Sequence, residues 1–204
     1  MLKLVYADPM KNSSKPMCHF YFSMDASLSM GYCWEEIIHS LERFVNRISR
    51  KLGDEFELAF SIEFFQEEVV FSLHKISLAE FKFKNVTIQP KGCSGIYQAI
   101  SRGLEQLEDP HHTVFVLITD GHPNGRSEVS KKDLESKLGE MNLPKGSAFY
   151  FLGENLPIDL TKYKILIRGM YRYEAKKLEI NAAFDELEGE IQDLSLFWTR
   201  KNPI

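Results

Sequence analysis

Three side chains with oxygen ligands follow one another at alternating positions in residues 22–31, which read FSMDASLSMG. Asp25, Ser27 and Ser29 come directly after a run of large apolar residues and before a long amphipathic stretch. A strand that ends in such a loop can direct one carboxylate and two hydroxyls toward a single point. Hard oxygen ligands suit magnesium, manganese or calcium, and the pattern contains no imidazole or thiolate. The spacing therefore indicates a site for a hard divalent cation.

Two later segments can bring further oxygen ligands to the same place. Residues 92–95, GCSG, precede a helical pattern, and residues 118–121, ITDG, end an apolar strand. Asp25 and Asp120 would then both lie just past the carboxyl ends of parallel strands, with Ser94 in the loop that enters the next helix. In open α/β sheets, ligands bind at that edge, in the crevice where the strand order reverses.

The D-x-S-x-S-x-G loop, the later loop with a small hydroxyl residue and the strand ending in T-D-G together resemble the metal-ion-dependent adhesion site of a von Willebrand factor A (vWA) domain. The resemblance implies that the first strand lies beside the strand at 113–119, which places the crevice between Asp25 and Asp120. It also implies that three hydroxyls bind the cation directly, while two carboxylates act directly or through water. The implied ligands of Mg²⁺, or of Mn²⁺ or Ca²⁺, are the hydroxyls of Ser27, Ser29 and Ser94 and the carboxylates of Asp25 and Asp120.

A site of this composition is suited to recognition. Two carboxylates and three neutral hydroxyls only just balance a divalent charge, and ligands that act through water leave the cation electrophilic. An acidic side chain of a partner protein can then complete the coordination. We therefore expect a divalent-cation-dependent protein-binding module without enzymatic activity. The chain is also similar, in length and in lacking an export signal, to small bacterial vWA proteins associated with tellurite resistance and stress operons.

The sequence departs from the usual vWA pattern in the second loop. Ser94 stands where the family usually has threonine, and serine lacks the β-branch that restricts the side-chain rotamer. Gly95 stands where a polar residue is frequent. Both changes favour a weaker metal site, although the number of oxygen ligands is complete.

Two alternatives follow from the same residues. Aspartate and serine also favour strand ends and helix starts, so the chain could be a structural vWA domain with a vacant site. A metal-dependent hydrolase on the same sheet is the other alternative, and it would use His122 as its base.

Composition limits the class of protein and its partners. With 204 residues, 44% of them hydrophobic and 26% charged, the chain is long enough for one α/β domain at 1–204, with a loose lead-in at 1–16. A net charge of −4 gives no general attraction to nucleic acid or to anionic lipid. The odd number of cysteines favours reduced thiols, and no signal peptide or apolar span is evident. We therefore expect a cytoplasmic protein with no nucleic-acid or membrane contact; its oligomeric state is not predicted.

Hydrophobic periodicity predicts the elements that must position the site. Alternating or continuous apolar runs predict strands, and apolar stripes at helical spacing predict helices. The expected fold class is α/β, a doubly wound, mainly parallel six-stranded sheet with one antiparallel edge strand and helices on both faces. The predicted strands are 18–24, 56–64, 69–73 (the antiparallel edge), 113–119, 148–152 and 165–167. The predicted helices are 34–52, 96–107, a short one carrying Leu134, Leu138 and Met141, and 178–194. The pattern of residues 78–84 does not distinguish a helix from a turn.

Overall fold

The computed structural model describes residues 15–77, 88–107, 112–126, 128–141, 147–153, 158, 167–171 and 177–201. Strands and helices alternate along most of this part of the chain. The elements are β1 (Met17–Asp25), α1 (Trp34–Leu52), β2 (Glu57–Phe65), β3 (Val69–Ile76), α2 (Ile96–Leu107), β4 (His112–Ile118), α3 (Lys131–Glu140), β5 (Ala148–Leu152), β6 (Ile167–Tyr171) and α4 (Lys177–Lys201), with a short 3-10 helix, Leu28–Tyr32, between β1 and α1.

The described strands form one sheet in the order β3-β2-β1-β4-β5-β6. β1 pairs in parallel with β2 on one side and with β4 on the other, so the strand order reverses between β1 and β4. β3 pairs antiparallel with β2 at the edge of the sheet, and the other pairs are parallel. The predicted α/β class with a mixed sheet and the predicted neighbourhood of β1 and β4 are therefore confirmed.

The core is divided by the sheet into two apolar clusters. Helices α1 and α4 cover one face, where Phe20, Phe22 and Met24 of β1 are buried against them. Helix α2 and helix α3 cover the other face, on which Tyr21 of β1 lies. Helices on both faces were predicted, because nearly continuous apolar strands need cover on both sides.

One face of β1 is more polar than its sequence suggests. His19, Tyr21, Ser23 and Asp25 share the α2 face because side chains alternate along a strand. The carboxylate of Glu63 on β2 accepts hydrogen bonds from the hydroxyls of Tyr21 (2.7 Å) and Ser23 (3.0 Å). This row of polar side chains ends at Asp25, at the carboxyl edge of the sheet.

The predicted and observed bounds of the elements agree best where the sequence contains a residue that ends a helix. Helix α1 covers the predicted 34–52, and Gly53 is its C-cap. Helix α4 continues past its predicted end to Lys201. Helix α3 ends at Glu140, so Met141 is its C-cap. β6 begins at Ile167 where a strand at 165–167 was expected, and residues 161–166 lie outside the described part of the chain. The ambiguous 78–84 and all but two residues of the lead-in also lie outside it.

Candidate metal centre

The neighbouring strands β1 and β4 place Asp25 and Thr119 at the switch point, where the strand order of the sheet reverses. Met24 of β1 pairs with Ile118 of β4, so Asp25 and Thr119 leave the sheet side by side. On the other side of β1, Asp25 pairs with Phe65 at the end of β2. The crevice predicted from topology therefore lies directly above the carboxyl end of β1.

The carboxylate of Asp25 is the centre of the hydrogen-bond network in this crevice. Its Oδ2 accepts hydrogen bonds from Ser94 Oγ and from Thr119 Oγ1, each at 2.7 Å, and its Oδ1 accepts one from the backbone N–H of Ser27 at 2.8 Å. Asp25 is fully buried. Burial raises the pKa of the Asp25 carboxyl above its ordinary value, and the hydrogen bonds of Thr119, Ser94 and Ser27 only partly oppose that rise.

The two serines of the first loop lie together. The Oγ atoms of Ser27 and Ser29 are 3.1 Å apart. Ser27 is the N-cap of the 3-10 helix, and its side chain is buried, whereas Ser29 is exposed on the first turn. The two hydroxyls therefore lead from the buried Asp25 to the protein surface. This arrangement would let a cation reach the carboxylate from solvent.

The loop that carries Ser94 is held by the backbone of its neighbours. Gly92 has a φ of 70°, which favours glycine. The N–H of Gly95 donates a 2.7 Å hydrogen bond to Gln66 O in the β2–β3 turn. A Cβ at Gly95 would lie 2.6 Å from the carbonyl oxygen of Glu67, so the close approach explains the glycine where a polar residue was expected. On its other side, Ser94 N–H donates to Asn124 Oδ1 at 2.7 Å.

Asp120 follows Thr119 in the third loop. Its Oδ1 accepts a 3.2 Å hydrogen bond from the N–H of His122, and its side chain is nearly buried at 6% exposure. Gly121 has a φ of 81°, and its N–H donates to Thr119 Oγ1 at 3.1 Å. The structure thus places Asp25 at the end of β1 and the other four predicted ligands in the three adjoining loops, and it joins Asp25, Ser27 and Ser94 by direct hydrogen bonds.

Sequence reasoning missed Thr119 and Asn124. Thr119 is next to a predicted ligand, and its hydroxyl could have been expected beside Asp25 once β1 and β4 were paired. Asn124 stands in a loop of small and polar residues, where nothing in the sequence distinguishes it from its neighbours.

The donor set fits a hard cation. The groups that stabilise the ionised form of Asp25 are neutral donors of Ser27, Ser94 and Thr119. A buried carboxylate with such partners gains from a positive charge. The described residues contain no cluster of three or more His, Cys, Asp and Glu side chains that could hold a metal ion. A cation held here by the described residues would therefore use hydroxyl oxygens together with the carboxylates.

No family model and no curated protein sequence matches the chain. A von Willebrand factor type A protein from Catenulispora acidiphila aligns with 85% of the chain at a TM-score of 0.56 and 16% identity. The vWF domain of the type V pili tip protein Mfa5 from Porphyromonas gingivalis aligns with 88% of it at 0.55 and 12% identity. The chain has a vWA-like fold.

The same fold occurs in larger proteins. The pilus adhesin SpaC from Lactobacillus rhamnosus GG aligns with 89% of the chain at a TM-score of 0.60 and 12% identity. This vWA-like chain spans 30% of SpaC and 42% of the Catenulispora chain, but 96% of the Mfa5 domain. No helix in the described ranges has the length and apolarity needed to cross a membrane.

Proposed function

We propose that the chain is a protein-binding module that recognises an acidic side chain of its partner through a divalent cation. The observation that carries this proposal is the buried, hydroxyl-bonded carboxylate of Asp25 at the point where the strand order reverses. The proposed ligands are Asp25, Ser27, Ser29, Ser94 and Asp120, and the proposed cation is Mg²⁺, with Mn²⁺ or Ca²⁺ as substitutes.

The hydrogen bonds distinguish the two hydroxyls that contact Asp25. Ser94 Oγ directs its proton to Asp25, which leaves its lone pairs available to a cation. Thr119 Oγ1 also donates to Asp25, but it accepts the N–H of Gly121 as well. Ser94 is therefore the better candidate ligand, and Thr119 is a positioning residue that holds the carboxylate.

The bound cation would supply an electrophilic position for a carboxylate. Asp25, Ser94 and Ser29 would hold it; Asp25 and Ser94 are buried, whereas Ser29 is exposed to solvent. Because ordered loops on a rigid sheet keep these oxygens in place, little reorganisation is needed when the partner arrives. The adhesin SpaC and the pili tip protein Mfa5, which have the same fold, support an interaction role for this chain.

We propose no catalytic role. His122, the base that a hydrolase would need, is exposed in the third loop, and the described hydrogen bond to Asp120 is made by its backbone N–H.

A cytoplasmic location remains our proposal. It is supported by three free cysteines, two of which are buried. The narrower link to tellurite resistance and stress operons stays a prediction from the sequence.

The experiment that tests the proposal is affinity capture of partners from a lysate of the source cells. Capture should require Mg²⁺, and both EDTA and Asp120→Ala should abolish it. Asp193→Ala, which removes an exposed carboxylate of α4, is the matched control and should capture normally. Undiminished capture by the wild type in EDTA, or by Asp120→Ala in Mg²⁺, would contradict the proposal.

A further inference from the structure

A cavity of about 580 Å³ opens beside the loop that carries Ser27 and Ser29. It lies between the 3-10 helix, the first turn of α1 and the strip of residues 88–90. Its lining includes Gly31, Tyr32, Trp34, Glu35, Glu36 and Pro90. None of these residues belongs to the proposed ligand set.

The cavity has a fixed position relative to the candidate metal centre. The N–H of Lys91 donates to Ala26 O at 3.0 Å, and the N–H of Leu28 donates to Gly92 O at 3.1 Å. These bonds join Lys91 and Gly92, which directly follow the strip of residues 88–90, to the first loop on both sides of Ser27. Ser29 and the lining residues Gly31 and Tyr32 lie on one short 3-10 helix, so the lining begins about 4–6 Å along the helix axis from Ser29.

The lining combines aromatic rings with negative charge. Tyr32 is 61% exposed, and Trp34 packs its ring against Phe64, with 5.5 Å between the centroids. Glu36 already forms an ion pair with Arg43 at 3.3 Å. Glu35, which is exposed in the same turn, therefore contributes the negative charge that a bound group would meet.

A second cavity on the other side of the strip has the opposite character. It measures about 350 Å³ and is lined by Gln66, Val70 and Lys91, together with Ile88 and Gln89, which it shares with the first. Its only charged lining residue among those described is basic. The charged lining residues of the two cavities therefore have opposite signs. Of these two cavities, the one beside Glu35 is complementary to a positively charged group.

We propose that the cavity beside Glu35 receives a basic side chain from the same partner segment whose carboxylate reaches the metal. The proposal rests on the proposed function, because it is the metal centre that places the partner segment here. Aromatic rings and a carboxylate together attract a guanidinium or ammonium group. An extended segment advances about 3.3 Å per residue, so the basic residue should lie two to four positions from the acidic one.

The test is selection of short random peptides that carry one fixed central glutamate, displayed on phage, in the presence of Mg²⁺. Three proteins are compared: wild type, Glu35→Gln and Glu42→Gln. Glu42 lies two turns further along α1 and gives the same change in net charge without lining the cavity. EDTA and Asp25→Ala serve as controls for the metal centre.

We expect wild type and Glu42→Gln to enrich lysine or arginine at a fixed distance of two to four residues from the glutamate. With Glu35→Gln that enrichment should disappear, and a selected peptide should bind Glu35→Gln about fivefold more weakly, the size of one exposed ion pair. If selection depends on Mg²⁺ but shows no basic preference, or keeps it in Glu35→Gln, this inference is wrong while the proposed function stands. If no peptide is enriched in an Mg²⁺-dependent manner, both fail.

Discussion

The hydroxyl of Ser94 lies 2.7 Å from Oδ2 of Asp25, although 69 residues separate the two in the chain. This contact joins the end of β1 to the loop before α2 across the switch point of the sheet. It also orients the serine so that its lone pairs point away from the carboxylate.

Replacing Asp25 by asparagine should abolish metal binding and stabilise the metal-free protein. Asparagine can keep Oδ1 toward the N–H of Ser27, while the hydroxyls of Ser94 and Thr119 turn to accept from its amide. The substitution removes a buried charge whose ionisation is opposed by burial. Calorimetric titration with MgCl₂ and thermal unfolding in EDTA measure the two effects. Cys93→Ser is the control and should bind the metal almost normally; loss of binding in that variant with retention in Asp25→Asn would overturn the site assignment.

The same carboxyl gives the metal-free protein a defined pH dependence. Burial raises the pKa of Asp25 in the folded state, so the folded chain holds this proton more tightly than the unfolded chain. Its contribution to stability is therefore greatest below the ordinary carboxyl pKa and is lost as the pH rises through the folded-state value. In EDTA, the difference in Tm between Asp25→Asn and wild type should grow with pH over this window. With Mg²⁺, the wild type should instead gain stability as the pH rises, because the cation and the proton compete for one carboxylate. A Tm difference between the two proteins that does not change with pH in EDTA would contradict the assignment.

Replacing Ser94 by threonine should strengthen metal binding about two- to threefold, because the β-branch restricts the rotamer that holds the hydroxyl. Ser94→Ala removes the hydroxyl and should weaken binding by tenfold or more. Calorimetry on the three proteins gives the order Thr, Ser, Ala. Ser94→Ala binding as tightly as wild type would show that Ser94 is not a ligand.

The ion pair between the buried Glu63 of β2 and the partly exposed Arg102 should control stability and leave metal affinity unchanged. Arg102 of α2 donates two hydrogen bonds to Glu63, at 2.9 and 2.7 Å, and Tyr21 donates a third. Removing the charge of Glu63 leaves the partly exposed Arg102 without its carboxylate partner and weakens the hydrogen bonds that Glu63 accepts. Glu63→Gln should therefore lower the free energy of unfolding by roughly 2 kcal/mol, as measured by urea denaturation. Glu57→Gln is the control, because Glu57 lies at the more exposed start of β2, the strand that also carries Glu63. An equal loss of stability in both variants would argue against a specific role of the Glu63–Arg102 pair.

Sequence reasoning succeeded where one pattern fixes one element. The stripe of α1 and its stop at Gly53 gave both bounds of the helix, and the parallel order of β1 and β4 placed Asp25 and Asp120 at one edge. It failed where side chains meet across strands. Tyr21 and Ser23 lie within a run of large residues, so nothing local shows that they face Glu63 rather than an apolar helix. The contact of Thr119 with Asp25 likewise depends on the strand register, which the sequence of one strand does not contain.

Removing the cation should lower stability without unfolding the chain. The two apolar clusters lie on both faces of the sheet, below the proposed ligands, and do not depend on them. At a free Mg²⁺ concentration about 100 times Kd, binding should stabilise the fold by about 2.7 kcal/mol. For a chain of this length that is a rise in Tm of about 5–10 °C. Loss of the circular dichroism signal when EDTA is added at room temperature would contradict this expectation.

The most direct test of the account is a cycle of partner titrations on wild type and Asp120→Ala, each with Mg²⁺ and with EDTA, once a partner has been captured. Both changes remove the same contact between the cation and an acidic side chain. Each should therefore weaken the complex by a similar factor, and the two together should be no worse than either alone. Equal affinity in all four conditions would show that the interaction surface of this protein lies elsewhere.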